Sequence, residues 1–252
     1  MKKYLISASI FLLLAACQMQ EEYVPVESGF TAEIEAFAGE TRTSLNESNS
    51  VVWSENDLIA VFQGSSIADK FEVTDASAGK TTGSFKEVTS VGDGGFESGN
   101  EIPDSVAVYP YMEDLECANG MFSDEDAYVY KIENVYYPRI QMYQESSFPD
   151  DAFVMVAVTS GVKDNKLRFR NASGALRLRI KGDATVKSIS IEGNADEPLG
   201  GYAVLKAYRD GSAPELESFG TSYGTVTLDC GEEGIRLDED TATEFIIALP
   251  PT

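Results

Sequence analysis

The sequence predicts an all-β protein, two tandem β-sandwich domains behind an N-terminal export signal. Three observations carry this. No window shows a helical apolar period, whereas short apolar/polar alternations recur from Gly29 onward. Turn clusters such as "GDGG" and "SGNEIPD" separate them. A polar stretch with a glycine, residues 159–166, interrupts the pattern, and a fresh set of alternations begins after it.

The elements follow in order. "FTAEIEAF" puts Phe30, Ala32, Ile34 and Ala36 on one face and Thr31, Glu33 and Glu35 on the other, a half-buried strand. "TRTSL" and "VVWS" flank the polar cluster "NESNS" and read as a hairpin, with Trp53 and Val51 sharing its core face. "LIAVF" is continuously apolar, so both of its faces must be covered. "KFEVT", "GSFKEV", "SVAVYPY", "AYVYKIENVYY" and "AFVMVAVT" supply further strands. After the break, "KLRFRNASGALRLRIKG" alternates through Leu167, Phe169, Leu176, Leu178 and Ile180. "VKSISIEG", "GYAVLKAY", "GTVTLDCG" and "TEFIIALP" complete the set. The expected organisation is residues 1–16 as signal peptide, 17–28 as acidic tether, 29–160 as the first sandwich and 166–252 as the second.

Composition narrows the function classes. Among 252 residues, 42 acids oppose 19 Lys and Arg, a net charge of −23. Such a surface repels a phosphate backbone, so no nucleic-acid partner is expected, nor binding to anionic lipid through surface charge. There is no histidine, which removes Ser-His-Asp and Cys-His catalysis and the usual zinc sites. Cys117 and Cys230 show no CxxC spacing and read as separate thiols. The acidic clusters around Glu113, Asp124, Asp150 and Asp238 lack the spacing of a calcium loop and read as solvated turns. No carboxylate pair stands out as a glycosidase dyad. No catalytic residue, metal or cofactor is expected.

The N-terminus is an address. Lys2 and Lys3 precede an apolar run too short to span a bilayer comfortably, and Leu14-Ala15-Ala16-Cys17 looks like a bacterial lipobox. Cys17 then carries the lipid, and its acyl chains provide the anchor. The alternative is an ordinary secretory signal with a chance cysteine. Glu21 and Glu22, shortly after Cys17, resemble a signal that sends lipoproteins of some diderm anaerobes to the outer face of the outer membrane.

The order of several pieces resembles the fimbrillin-like surface lipoproteins of the type V pilus superfamily. They are "TRTSL" with "VVWS" and "LIAVF", then "VAVYPY", then "RIQMYQESSFPDDAFVMVAVT" with Gln141, then "LRFRNASGALRLRIKG" with "VKSISIEG". The resemblance covers residues 29–252. It implies two sandwiches of Greek-key or transthyretin-like type, lipoprotein export to the outer membrane, and a role as pilus subunit, tip, anchor or adhesin, without cofactor or catalysis. Its partners would be other pilus subunits or host and bacterial surface ligands. The family's second domain usually continues past the point where "FIIALPPT" stops. Either the sequence is a fragment or that sandwich, short of strands, is completed by something else.

Arg42 is the sole basic residue between Lys3 and Lys70. In the resembling pilins a trypsin-like protease cuts after such an arginine and frees an N-terminal strand. The plain alternative is an outward-facing strand residue. Asp104-Ser105-Val106 and Asp240-Thr241-Ala242 resemble a short O-glycosylation signal, with Ser105 and Thr241 as acceptors. Tyr109, Tyr111, Tyr128, Tyr130, Tyr136, Tyr137 and Tyr143 either stack on sugars, as a permanently anchored glycan-binding lipoprotein would require, or pack across strands.

Overall fold

A computed structural model describes residues 29–35, 51–63, 66–89, 104–118, 129–145, 147, 149, 151–161, 164–194 and 197–251. In chain order the first strands are β1 (Gly29–Ile34), β2 (Leu58–Gln63), β3 (Asp69–Val73), β4 (Thr82–Thr89) and β5 (Ser105–Tyr109). Next come β6 (Glu116–Ala118), β7 (Val129–Tyr137), β8 (Ile140–Met142), β9 (Met155–Val158) and β10 (Lys166–Asn171). The last eight are β11 (Gly174–Ile180), β12 (Thr185–Val186), β13 (Ser188–Glu192), β14 (Gly200–Tyr208), β15 (Glu215–Tyr223), β16 (Thr225–Asp229), β17 (Ile235–Arg236) and β18 (Thr243–Leu249). Among the described residues the sole helical element is a 3₁₀ turn, Asp75–Ser77. The all-β expectation holds.

Where an N-terminal sandwich was expected, seven strands close into a barrel in the order β1-β10-β9-β5-β2-β3-β4. Its interior is packed by Phe30, Trp53, Ile59, Phe71, Phe85, Phe153 and Phe169, among others. Closure leaves this sheet without a free edge among these strands. The strand β10 comes from beyond the 159–166 stretch, so pairing crosses the boundary expected from sequence. Alternation in "KLRFRN" marks a strand but is silent about its partners, and those are β1 and β9.

The β9-β5-β2 wall is buried on both sides. Outside it lies a four-stranded sheet, β15-β14-β7-β6. Ala60, Phe62, Val106, Val108, Val154 and Val156 meet Tyr130, Ile132, Val135, Ala203, Leu205 and Ala207 there. This is why "LIAVF" is unbroken: Ile59 and Val61 face inward, Ala60 and Phe62 outward, and all four are fully buried. A third core gathers between β11-β18 and β13-β16-β8, around Val226, Leu228, Phe245 and Ile247. The alternate residues of β18, Ile246 and Ala248, join the barrel core instead.

Two further expectations are altered. "VVWS" does not form a hairpin arm: Val51 makes an isolated bridge and residues 52–54 are irregular. Trp53 is nevertheless core, 1% exposed, with its backbone N–H donating to the Lys80 carbonyl and its backbone carbonyl accepting from the Gly79 N–H. "TRTSL" lies outside the described residues. The strands β6, β8, β15 and β17 had no clear sequence signal. Three of them are two or three residues long, and the fourth, "ELESFGTSY", lies mostly on an exposed face, so it lacks a clean apolar alternation.

Candidate functional site

The feature with the most functional content is the seat of β1. This strand lies between two partners, antiparallel to β4 and parallel to β10. Its burial alternates as the sequence predicts: Phe30, Ala32 and Ile34 are buried in the barrel core. Phe30 stands opposite Phe85 and meets Phe71 edge-on, ring centroids 5.2 Å apart. Burial of Phe30 and Ile34 contributes about 1.5–3 kcal/mol each.

Ala32 faces Gly83 on one side and Leu167 on the other. Gly83 is required there. A Cβ at that position would lie 2.8 Å from Trp53 Cδ1 and 3.0 Å from Nε1, so the indole occupies the space a side chain would fill. Trp53 is pinned by edge contacts with Phe85, Tyr109 and Phe169 at 4.9, 5.6 and 5.5 Å. Its buried Nε1 has no hydrogen-bond partner among the described residues.

The outward face of β1 is electrostatic. Glu33 pairs with Lys166 at 2.9 Å. Glu35, just past the strand, takes Arg170 at 2.7 Å on one oxygen and the Asn171 N–H at 2.6 Å on the other. Both pairs run to β10. Lys166, by hydrogen bond and then by charge, holds the Glu33 carboxyl below its ordinary value. The backbone adds Thr31 N–H to Asn165, Ile34 N–H to Thr81 and Glu35 N–H to Phe169. Two open grooves of about 380 Å³ each border the strand, one against Arg168, Phe169 and Arg170, the other against Lys80, Thr82, Gly83 and Lys166.

Of the residues singled out in the sequence, Cys17, Glu21, Glu22 and Arg42 lie outside the described residues, as do Ala36 and Tyr128. Ser105 begins β5, is 4% exposed, and its N–H donates to Thr159 Oγ1 at 2.7 Å; a sugar there requires the strand end to open. Thr241 is exposed on a turn held by its N–H on Asp238 Oδ1. Tyr109, Tyr130 and Tyr137 are core residues. Tyr111, Tyr136 and Tyr143 are half-buried. Tyr136 stacks across strands on Tyr202, centroids 4.9 Å apart, and Tyr202 remains 43% exposed. Cys117 and Cys230 are buried free thiols, and burial pushes Cys117 up to about 12. Among the described residues no group of three acidic or thiol side chains is placed to hold a metal ion.

Sequence reasoning missed Lys166, Arg170 and Gly83 as parts of the seat. The basic alternation Lys166-Arg168-Arg170 was visible, but its pairing with Glu33 and Glu35, more than a hundred residues earlier, had no local signal.

No protein-family model matches the chain, and no curated protein does. Among solved structures, a candidate cell adhesion protein from Bacteroides ovatus is similar, with a TM-score of 0.44 and 14% identity over 89% of this chain and 77% of that one.

Proposed function

We propose that this protein is a cell-surface structural or adhesive lipoprotein: a fimbrillin-like pilus subunit, tip or anchor that assembles by strand addition at the β1 seat. Export through Cys17 lipidation, with Glu21 and Glu22 as the surface signal, would place it at the outer membrane. Its partners are other subunits or surface ligands, and the reading needs no catalytic residue or cofactor. One observation carries it. A strand that fills a core and pairs on both edges is joined onward through a segment holding the lone Arg42. Cutting after Arg42 would leave β1 seated by non-covalent contacts alone. Its departure would bare the ladders of β4 and β10, a slot for a strand from another chain. Limited trypsin digestion of the soluble form, the chain from Gln18 onward without the lipid-bearing cysteine, tests this. The expected product begins at Thr43 and polymerises. A chain that resists at Arg42, or stays monomeric once cut, is an anchored module instead.

A second reading, a permanently anchored glycan-binding protein, is favoured by the Tyr136–Tyr202 pair on the outer face of the β14-β7 sheet. An exposed ring beside polar strand residues can stack on a pyranose. Selective binding on a glycan array that is lost in Tyr202→Ala, with no polymer in electron micrographs, would establish this reading over the first.

A further inference from the structure

Resting on the strand-addition reading, the geometry points to a seat that selects its occupant: an acidic, alternating strand running parallel to β10, with an alanine-sized residue at the Ala32 place and carboxylates at the Glu33 and Glu35 places. The incoming partner is therefore a chain segment of that chemistry, not any extended peptide.

Three features of the seat impose this. The first is size. The wall opposite Ala32 is closed by the Trp53 indole, which stands where a Gly83 side chain would be. Trp53 is held by three aromatic neighbours and cannot swing away without opening the core. A leucine or phenylalanine at the Ala32 place meets that indole. The Phe30 place, by contrast, opens onto Phe71 and Phe85 and takes a large ring.

The second is charge. The molecule carries −23 overall, yet the outer rim of the seat is basic. Lys166, Arg168 and Arg170 alternate along β10, and Lys80 lines the groove on the other flank. Lys166 and Arg170 have their ion pairs with the seated strand itself. When β1 leaves, both cations lose these carboxylates. A replacement with neutral residues at those places leaves them so, and one with lysines is repelled.

The third is register. In the parallel pairing, Glu33 lies beside Arg168 and Ile34 beside Phe169, with Lys166 one step back, opposite Thr31. The Glu35 carboxylate also reaches the Asn171 N–H. A strand entering in the opposite direction carries its acids to different rungs of β10 and cannot make both contacts. Direction, spacing and sign are thus read together, which would discourage the many other acidic segments of a like chain from entering.

The test has two arms on the full chain. In the first, thermal unfolding is compared among the wild type, Glu33→Lys with Glu35→Lys, Lys166→Glu with Arg170→Glu, and all four changes together. Each reversed pair should lower Tm, and the fourfold swap should recover most of the loss; additive losses would overturn the charge rule. In the second arm a site for a sequence-specific protease is inserted between Glu40 and Thr41 and cut. Labelled peptides spanning residues 29–36 then compete with the seated strand. The natural peptide should exchange, the Glu33→Lys/Glu35→Lys peptide should need about tenfold more, and the order should invert on the Lys166→Glu/Arg170→Glu chain. The Ala32→Leu peptide should not enter. Equal exchange of all peptides overturns selectivity while leaving strand addition standing. Exchange of none overturns strand addition, and the first arm still judges the charge rule.

Discussion

Gly83 and Gln141 show how single residues hold this fold in place. Gly83 yields its side-chain space to Trp53. Gly83→Ala should therefore cost about 1–3 kcal/mol by overpacking, read as a lowered urea midpoint with Trp53 fluorescence as the probe. Gln141 is 2% exposed, and its amide donates to the Ala248 carbonyl at 2.7 Å while accepting the Ala248 N–H at 2.9 Å. The side chain thus does for β18 what a neighbouring strand would do. Gln141→Leu leaves two buried backbone groups unsatisfied, at about 1–3 kcal/mol each. Gln141→Glu keeps an acceptor for the N–H but sets a buried carboxylate oxygen against the Ala248 carbonyl, so at neutral pH it should cost at least as much as Gln141→Leu. Chemical denaturation of the three proteins checks the order. Neither role was legible beforehand. Nothing local to Gln141 says that its amide will meet a strand 107 residues away.

At the scale of elements, legibility followed burial pattern. β1 was readable because one face is apolar and the other charged, and β2 because it is apolar throughout. The strands β6 and β8 are three residues each, below the length at which alternation can be told from chance. The parts of the β1 seat contributed by β4 and β10 were invisible for another reason: pairing partners are fixed by tertiary packing, not by local sequence. The Glu33–Lys166 pair also gives β1 a pH response. The Glu33 carboxyl titrates below its unfolded value of 4.5 because Lys166 stabilises its charged form. A depressed value means that the stabilisation is complete above the unfolded pKa and is lost as pH falls through the folded one. Asp164 shifts the same way: burial raises it, but the Lys166 N–H, Ser160 and Arg168 outweigh that. Amides of β1 should therefore exchange faster with solvent at pH 3 than at pH 6, after correction for intrinsic rates. In Glu33→Gln that difference should shrink. An unchanged response in the variant would show that Glu33 is not the group responsible.

At the scale of the molecule, the three cores share walls. The β9-β5-β2 wall has the barrel interior on one side and the β14-β7 sheet on the other, and β18 sends alternate residues into the barrel and into the C-terminal core. The strand β10 closes the barrel by pairing with β1 and β9, β14 pairs with β7, and β16 pairs with β8, so four pairings cross the 159–166 stretch. Separating the chain there would bare Leu167 and Phe169, Ile246 and Ala248, and the outer face of the barrel wall together. Such an arrangement should lose its structure as one unit. Trp53 is the sole tryptophan and sits in the barrel, so its fluorescence reports that part alone, whereas far-ultraviolet circular dichroism reports strands from every sheet. In a urea titration of the soluble form the two signals should share one midpoint and one slope. Phe245→Ala, in the C-terminal core, should shift both curves together by an amount matching about 3–5 kcal/mol. A Trp53 transition that ignores this substitution would mean that the two halves unfold independently, and that the shared walls carry little of the stability.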